Sequence, residues 1–482
     1  MKSETYTREN LRELCQRDPE AIINLIESLM KTISVLNERV TQLEQQIRQD
    51  SHNSSKPPSS DGMKRIISST REKSNRQSGG QRGHKGTTLA MKEKADKIIE
   101  HTVEKCSCGC ALQHVEVRRR HSRQVIDIPT PKIEYTEHQS QEKQCPHCGK
   151  IISAPFPEGV EKVVQYGVNI KSLALSLMQY QLIPLKRTQE LLKDIFTIEI
   201  SQGTLQNWTQ ELHKKVEPAE KEIVRQLKQA DIVYADETGI FCENKLHWVH
   251  VASTNKLTHF QMHPKRGSEA IDDIGIIGSF KGRLIHDFWS AYFKYDIEHG
   301  MCNSHLIREL TAVYENDKQD WALDMKDLLL RIDKRVETAK AQNESSLSLQ
   351  TCQYYTGKYR ALLTIAKALN PRQNSPPGKR GKPKQTKVRN LIERMSDYQD
   401  EALAFMEDFR VPFTNNQAER DFRMMKVKQK ISGTFRSREG GYAFCRIRGY
   451  ISTARKNACS AFDAIRMALN NNPFIPMNIY AV

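Results

Sequence analysis

Ten residues near the middle of the chain, Ile232-Val-Tyr-Ala-Asp-Glu-Thr-Gly-Ile-Phe241, read as a buried strand with two acids set inside it. A charge in the centre of a buried strand is costly unless it is paired or binds a metal, so Asp236 needs an explanation that a turn aspartate would not. Leu246-His-Trp-Val-His-Val-Ala-Ser and Thr258-His-Phe-Gln-Met-His follow as two further strands, and Ser268-Glu-Ala-Ile-Asp-Asp-Ile as a short helix. Gly282-Arg-Leu-Ile-His-Asp287 is then a fourth apolar run ending in an acid. Side chains alternate along a strand, so Glu237 faces away from Asp236, and His286, facing away from Asp287, reads as packed rather than catalytic.

Three strands, a helix and a fourth strand bearing a second aspartate resemble the element order of a ribonuclease-H-like nuclease core, whose acid-bearing strands lie side by side. Two such aspartates can bridge magnesium ions, which take oxygen ligands and keep positions open for water and phosphate. Two metals would stabilise both the entering and the leaving oxygen of a phosphoryl displacement. A third carboxylate is then needed, and Glu419 in Thr414-Asn-Asn-Gln-Ala-Glu-Arg-Asp-Phe-Arg has the chemistry. The local alternative is a capping box of Asn416 and Glu419 at a helix start. Arg420, Arg423, Lys426, Lys428 and Lys430 behind it would hold a phosphate backbone.

The rest of the 482-residue chain fits a polyanionic partner. Its formal charge is +16, with 74 Lys and Arg against 58 Asp and Glu. No apolar run of membrane length and no apolar signal core occurs, which predicts a cytoplasmic protein without membrane contact. Ile22, Ile26, Leu29, Ile33, Leu36, Val40, Leu43 and Ile47 alternate four and three apart, the seam of a coiled coil that self-associates; a helix packed on its own domain is the alternative. The following stretch is rich in Ser, Gly, Lys and Arg and cannot bury a core. Its Arg71, Lys73, Arg76, Arg82 and Lys85 suit either a DNA-backbone arm or a solvated spacer.

Cys145-Pro-His-Cys148-Gly is a knuckle that aims two thiolates at one point. Cys106, Cys108 and Cys110 offer a less regular first half with one cysteine to spare. Cys106, Cys108, Cys145 and Cys148 are the expected set for a structural Zn²⁺, with Cys110 as the alternate. Residues 163–217 read as helical. A break near Thr197 suggests helix-turn-helix, with Thr204, Gln206, Asn207 and Gln210 turned to a DNA groove, although a plain helical hairpin has the same pattern. Helical periods recur over Leu323–Lys340 and Tyr354–Leu369, before a basic loop from Pro371. The stretches from Phe435 and Arg446 are basic and partly helical, and are expected to finish the core and add phosphate contacts.

Ala235-Asp-Glu-Thr, Asp287-Phe-Trp-Ser-Ala-Tyr, Cys302-Asn-Ser-His305-Leu-Ile-Arg308 and Asn415-Asn-Gln-Ala-Glu419-Arg-Asp-Phe-Arg, in this order, together resemble the bacterial insertion-sequence 66 transposase family. The resemblance implies a multidomain protein. Its parts are a coiled-coil segment (1–50), a basic linker (51–95), a zinc-finger-like module (96–155), a helical DNA-binding region (160–228), a ribonuclease-H-like core (229–432) with a helical insertion at about 312–410, and a C-terminal tail (433–482). It also implies cleavage at terminal inverted repeats and transfer of the 3′ hydroxyls into target DNA. Double-stranded DNA, a second copy and companion proteins of the same element are the implied partners. Asp236, Asp287 and Glu419 would be the triad holding Mg²⁺ or Mn²⁺, while His305 and Arg308 would serve either as structural or substrate-positioning support or as contacts to DNA or the scissile phosphate. The chain departs from the family pattern at the first knuckle, where Lys105 stands three before Cys108. A DNA-binding regulator with a non-catalytic core, and a nuclease without strand transfer, are the alternatives.

Overall fold

The computed structural model describes residues 8–47, 53–54, 89–374 and 383–478. Most of the basic linker expected over 51–95, including Arg71, Lys73, Arg76, Arg82 and Lys85, lies outside the described residues, as does residue range 375–382 of the basic loop. The chain divides into two units, residues 1–66, 164–190 and 200–482 in one, and 67–163 with 191–199 in the other. No helix among the described residues is long and apolar enough to cross a membrane.

Helix α1 (Arg8–Arg17) is followed by the long α2 (Pro19–Ile47). Asp18 caps α2, its Oδ1 accepting the Ala21 N–H at 3.0 Å, and Pro19 takes the first helical position, where no N–H is needed. Ile26, Leu29, Ile33, Leu36, Val40, Leu43 and Ile47 are all exposed along it.

In the smaller unit, β1 (Glu142–Gln144) and β2 (Ile151–Ser153) form an antiparallel ribbon closed by the Cys145–Lys150 turn.

The larger unit continues with α3 (Val168–Leu175), which runs into a π turn at Ser176–Tyr180, then α4 (Leu185–Phe196), which crosses into the other unit, α5 (Gln202–Lys215) and α6 (Glu217–Gln229). Ser201 caps α5 by accepting the Thr204 N–H, and the face that α5 buries carries Leu205, Trp208, Thr209 and Leu212.

The sheet begins with β3 (Ile232–Cys242), β4 (Lys245–Ser253) and β5 (Thr258–His263), joined as antiparallel neighbours. Glu243 and Asn244 both have positive φ, as a two-residue hairpin turn requires for the strand twist. Helix α7 (Ser268–Ile274) carries the chain to β6 (Arg283–His286), and β7 (Glu298–Met301) follows. The order is β5-β4-β3-β6-β7, with β6 and β7 parallel to β3. The long strand expected from the apolar run with two acids is therefore the centre of a mixed five-stranded sheet.

Five helices come next: α8 (Asn303–Asp317), α9 (Asp320–Ala341), α10 (Leu349–Leu369), α11 (Lys387–Asp397) and α12 (Gln399–Glu407). They bury Leu329, Ile332, Tyr359, Ile392, Met395 and Phe405 in one core that continues onto Ile285 and Met301 of the sheet. Helix α13 (Asn416–Ser432) lays Ala418, Phe422 and Met425, at helical spacing, against Ile240, Val249, Val251 and Phe260. Helix α14 (Arg438–Lys456) crosses β5 so closely that a Cβ on Gly449 would come within 3.0 Å of the Thr258 carbonyl oxygen, and α15 (Ala461–Leu469) completes the described elements. Two arginines of α14 serve the fold. Arg446 bonds Glu220, and Arg448 donates to the carbonyls of Gln179 and Tyr180.

Gly282 fixes the start of β6. A Cβ there would lie 2.4 Å from the Asp231 carbonyl oxygen and 2.5 Å from that of Ala230, and backbone atoms cannot swing aside as a side chain can. Gly282→Ala is expected to lower stability by about 3 kcal/mol through overpacking. Gly278→Ala, whose Cβ would meet only Tyr295 at 3.9 Å, serves as the control. Urea unfolding of the two variants checks this.

Candidate active site

Parallel pairing places Tyr234 of β3 opposite Ile285 of β6. Asp236 and Asp287 each lie two residues further on, so the two acids come level. Here β6 has ended at His286, while β3 continues with Asp236 opposite Val251 of β4. The opening beyond the carboxyl ends of parallel strands is where open α/β sheets take their ligands.

Asp236 Oδ1 accepts the Glu237 N–H at 2.8 Å, whereas Asp287 Oδ1 is buried with no hydrogen-bond partner among the described residues. Burial, then the charges of Glu237, Asp287 and Glu419, push the Asp236 carboxyl well above the usual carboxylate range. Burial also raises Asp287, opposed by the positive charge of Arg266 and, more weakly, Arg394. Glu237 has partners of its own: its side chain is wholly buried, bonded to Arg266 and Tyr292, and burial, then the charge of Asp287, raises it to about 7.

The start of α13 is tied to the same strand ends. Asn415 is buried; its Nδ2 donates to the Ala235 carbonyl at 2.8 Å, and its N–H donates to Cys302 Sγ at 3.1 Å. Cys302 N–H in turn donates to the His286 carbonyl at 3.0 Å. The capping box expected from Asn416 and Glu419 is absent. The cap position belongs to Asn415, no side chain caps the helix, and Asn416 is its first residue. The reason is tertiary: Asn415 uses its amide on the neighbouring strand. Glu419 sits in the first turn with its carboxylate half exposed, 3.9 Å from the Arg308 guanidinium. Two residues on, buried Asp421 pairs with Lys456 at 2.8 Å and locks the rotation of α13 against α14.

His305 and Arg308, from the first turns of α8, are thus gathered at Glu419. One donor atom each from Cys302, His305 and Glu419 lie within 4.8 Å of one another, and no other such set of three occurs among the described residues. Asp236, Asp287 and Glu419 are spaced more widely, although the charges of Asp287 and Glu419 reach Asp236. His305 Nδ1 is buried without a partner among the described residues, and burial and two nearby arginines depress the ring to about 3. Cys302 is fully buried and raised to about 11, a neutral thiol. His286 is packed against His299, Tyr292 and Phe293.

Among the cations of α13, Arg420, Arg423 and Lys430 are exposed, while Lys426 and Lys428 are partly buried. Lys426 lies within electrostatic reach of Asp236, and Lys428 lies over the Phe444 ring at 5.7 Å. On α5, Gln206 and Asn207 are exposed and Thr204 is partly so.

In the smaller unit both cysteine turns are formed. Cys145 N–H donates to Lys150 O and Gly149 N–H to Cys145 O. In the first turn, Cys106 N–H donates to Cys110 O and Gly109 N–H to Cys106 O, the same pattern one residue shorter. Cys108 therefore corresponds to Cys148, each just before a glycine of positive φ, and Cys110 corresponds to Lys150. Bonds from Cys108 and Cys148 lower Cys106 and Cys145 respectively. No three of these thiols lie within 4.8 Å of one another.

A mixed sheet that opens onto buried acids, flanked by a helix of exposed cations, defines a protein built to handle a polyanion beside a carboxylate cluster. Residues 164–443, more than half of the chain, match the model of the IS66 transposase family, and the chain belongs to that family of DNA-processing enzymes. Residues 8–90 match a second model, a family of unknown function (DUF6444). No curated protein matches the chain.

A carboxyl raised on folding destabilises the native state at every pH above its unfolded value, with the full cost above its folded one. At pH 8 in EDTA, Asp236→Asn should therefore raise the melting temperature, by about 3 °C per kcal/mol of repulsion relieved. Any stabilisation that Mg²⁺ gives the wild type should be lost in the same variant. Thermal melts with and without Mg²⁺ check both parts.

Proposed function

We propose that the chain is a divalent-metal-dependent DNA transposase with a ribonuclease-H-like core, and that Asp236, Asp287 and Glu419 carry the chemistry. The observation that carries this reading is the register that sets Asp236, within β3, level with Asp287, just past the end of β6, while Asn415 bonds the helix of Glu419 to β3. Their oxygen donors, including the buried and unpartnered Asp287 Oδ1, fit a hard cation such as Mg²⁺ or Mn²⁺. Bound there, a pair of such ions would supply stabilisation of the entering and leaving oxygens of an in-line displacement.

Water attacks the phosphodiester at a terminal inverted repeat, breaking the P–O3′ bond and leaving a 3′ hydroxyl and a 5′ phosphate. That hydroxyl then attacks a target phosphodiester, forms the new bond and releases a target 3′ hydroxyl. Exposed Arg420, Arg423 and Lys430 hold the backbone beside the acids, with Lys426 and Lys428 nearer the sheet. Arg308 and His305 steady Glu419 and face the scissile phosphate. Gln206, Asn207 and Thr204 of α5 read duplex DNA, and the exposed seam of α2 pairs with a second copy. Cys106, Cys108, Cys145 and Cys148 close on one structural Zn²⁺, supported by the matched pattern of the two turns.

The test uses the full chain, a labelled terminal-repeat duplex, Mg²⁺ and a target plasmid. Joined product that disappears in Asp236→Asn supports the transposase. Nicks without joining would make the protein a nuclease, and binding without cleavage a regulator. Glu419→Gln should reduce joining by about a hundredfold or more. It should leave urea stability unchanged, because the side chain caps nothing. Metal analysis should find about one zinc per chain, lost in Cys148→Ser and kept in Cys110→Ser.

A further inference from the structure

Glu237 stands beside Asp236 in the chain but takes no part in the chemistry proposed above. Its side chain is fully buried at the centre of the sheet. Oε1 accepts both Nε and Nη2 of Arg266, at 2.8 and 2.6 Å, and Oε2 accepts the Tyr292 hydroxyl at 2.7 Å. Arg266 is itself held between two indoles, its Cζ 4.8 Å from the Trp248 ring centre and 4.4 Å from that of Trp289. Trp289 and Tyr292 both belong to the turn that begins at Asp287 and leaves β6. The Trp289 N–H is also bonded to the Asp287 carbonyl, and Tyr292 is buried with its ring edge-on to Trp289.

One strand thus carries two adjacent acids with separate partners. Asp236 accepts the backbone N–H of Glu237, and the Glu237 side chain grips the turn on which Asp287 rides. A neutral side chain at 237 would keep the volume but weaken the charge-assisted bonds to Arg266, the stronger kind of hydrogen bond. The Asp287 turn would then be free to shift, and partners of this sort orient ligands within fractions of an ångström.

We propose that Glu237, with Arg266 and Tyr292, is a positioning residue that fixes Asp287 at its distance from Asp236 and so sets the affinity of the site for divalent metal. The proposal rests on the reading of Asp236 and Asp287 as metal ligands.

The experiment is a titration of the full-length protein with Mn²⁺, followed by electron paramagnetic resonance of the free ion and by the Mg²⁺ dependence of cleavage. Glu237→Gln should need about tenfold more metal for half-saturation, the usual scale for a lost partner of a ligand. Its rate at saturating metal should recover to near wild type. Tyr292→Phe, which removes one hydroxyl, should show a smaller shift in the same direction and keeps the test available if Glu237→Gln does not fold. Unchanged metal affinity in both variants, or a rate lost equally at every metal concentration in a folded variant, overturns the clamp. Wild-type protein that binds no Mn²⁺ overturns the metal-ligand reading itself, and the clamp falls with it.

Discussion

Repulsion among carboxylates sets the terms for this fold. Burial, and the charges of Glu237, Asp287 and Glu419, all make Asp236 costlier to ionise. Nothing in a free chain would gather them. They are gathered by uncharged geometry: the parallel ladder of β3 and β6, the bare backbone at Gly282, and above all the Asn415 amide on the Ala235 carbonyl. The chain of bonds from His286 through Cys302 to Asn415 joins the ends of β6 and β7 to the start of α13. None of these backbone and amide bonds depends on the charge of the acids they bring together.

The surrounding helices extend that framework. Helix α13 is fixed on one face by Ala418, Phe422 and Met425 and rotationally by the Asp421–Lys456 pair, which leaves Glu419, Arg420, Arg423 and Lys430 toward solvent. The five-helix insertion shares its core with Ile285 and Met301, and its Arg394 lies over Phe288, next to Asp287, at 5.5 Å. The insertion is thereby packed against the very strand that delivers the second acid. Cations not used in this way are consumed by the fold, as Arg446 and Arg448 illustrate, so net charge alone overstates the surface offered to DNA.

Much of this was legible in the residues. The apolar runs around Asp236 and Asp287 gave their strands, because a buried strand leaves a composition that few other elements share. The cysteine turns were legible because a glycine of positive φ after a cysteine has few other uses. Illegible were the contacts that depend on distant partners. Asn416 with Glu419 has the local form of a capping box, but the fold puts Asn415 at the cap position, gives its N–H to Cys302 Sγ and its amide nitrogen to a carbonyl some 180 residues away, and no periodicity records that. Glu237 read only as facing away from Asp236; its grip on Arg266 and Tyr292 needed the fold. The stretch of α14 read as finishing the core and adding phosphate contacts; which of its arginines turn inward was not legible, because buried arginines look the same in sequence as solvated ones.

The central claim is that the two strand acids, with Glu419, form the metal site, as distinct from the tighter set of Cys302, His305 and Glu419. Anomalous diffraction from crystals of the protein with terminal-repeat DNA and Mn²⁺ tests it most directly. The account predicts anomalous peaks within carboxylate-coordination distance of both Asp236 and Asp287, with Glu419 completing the shell. A peak confined to Cys302 and His305, with both aspartates uncoordinated, would contradict it.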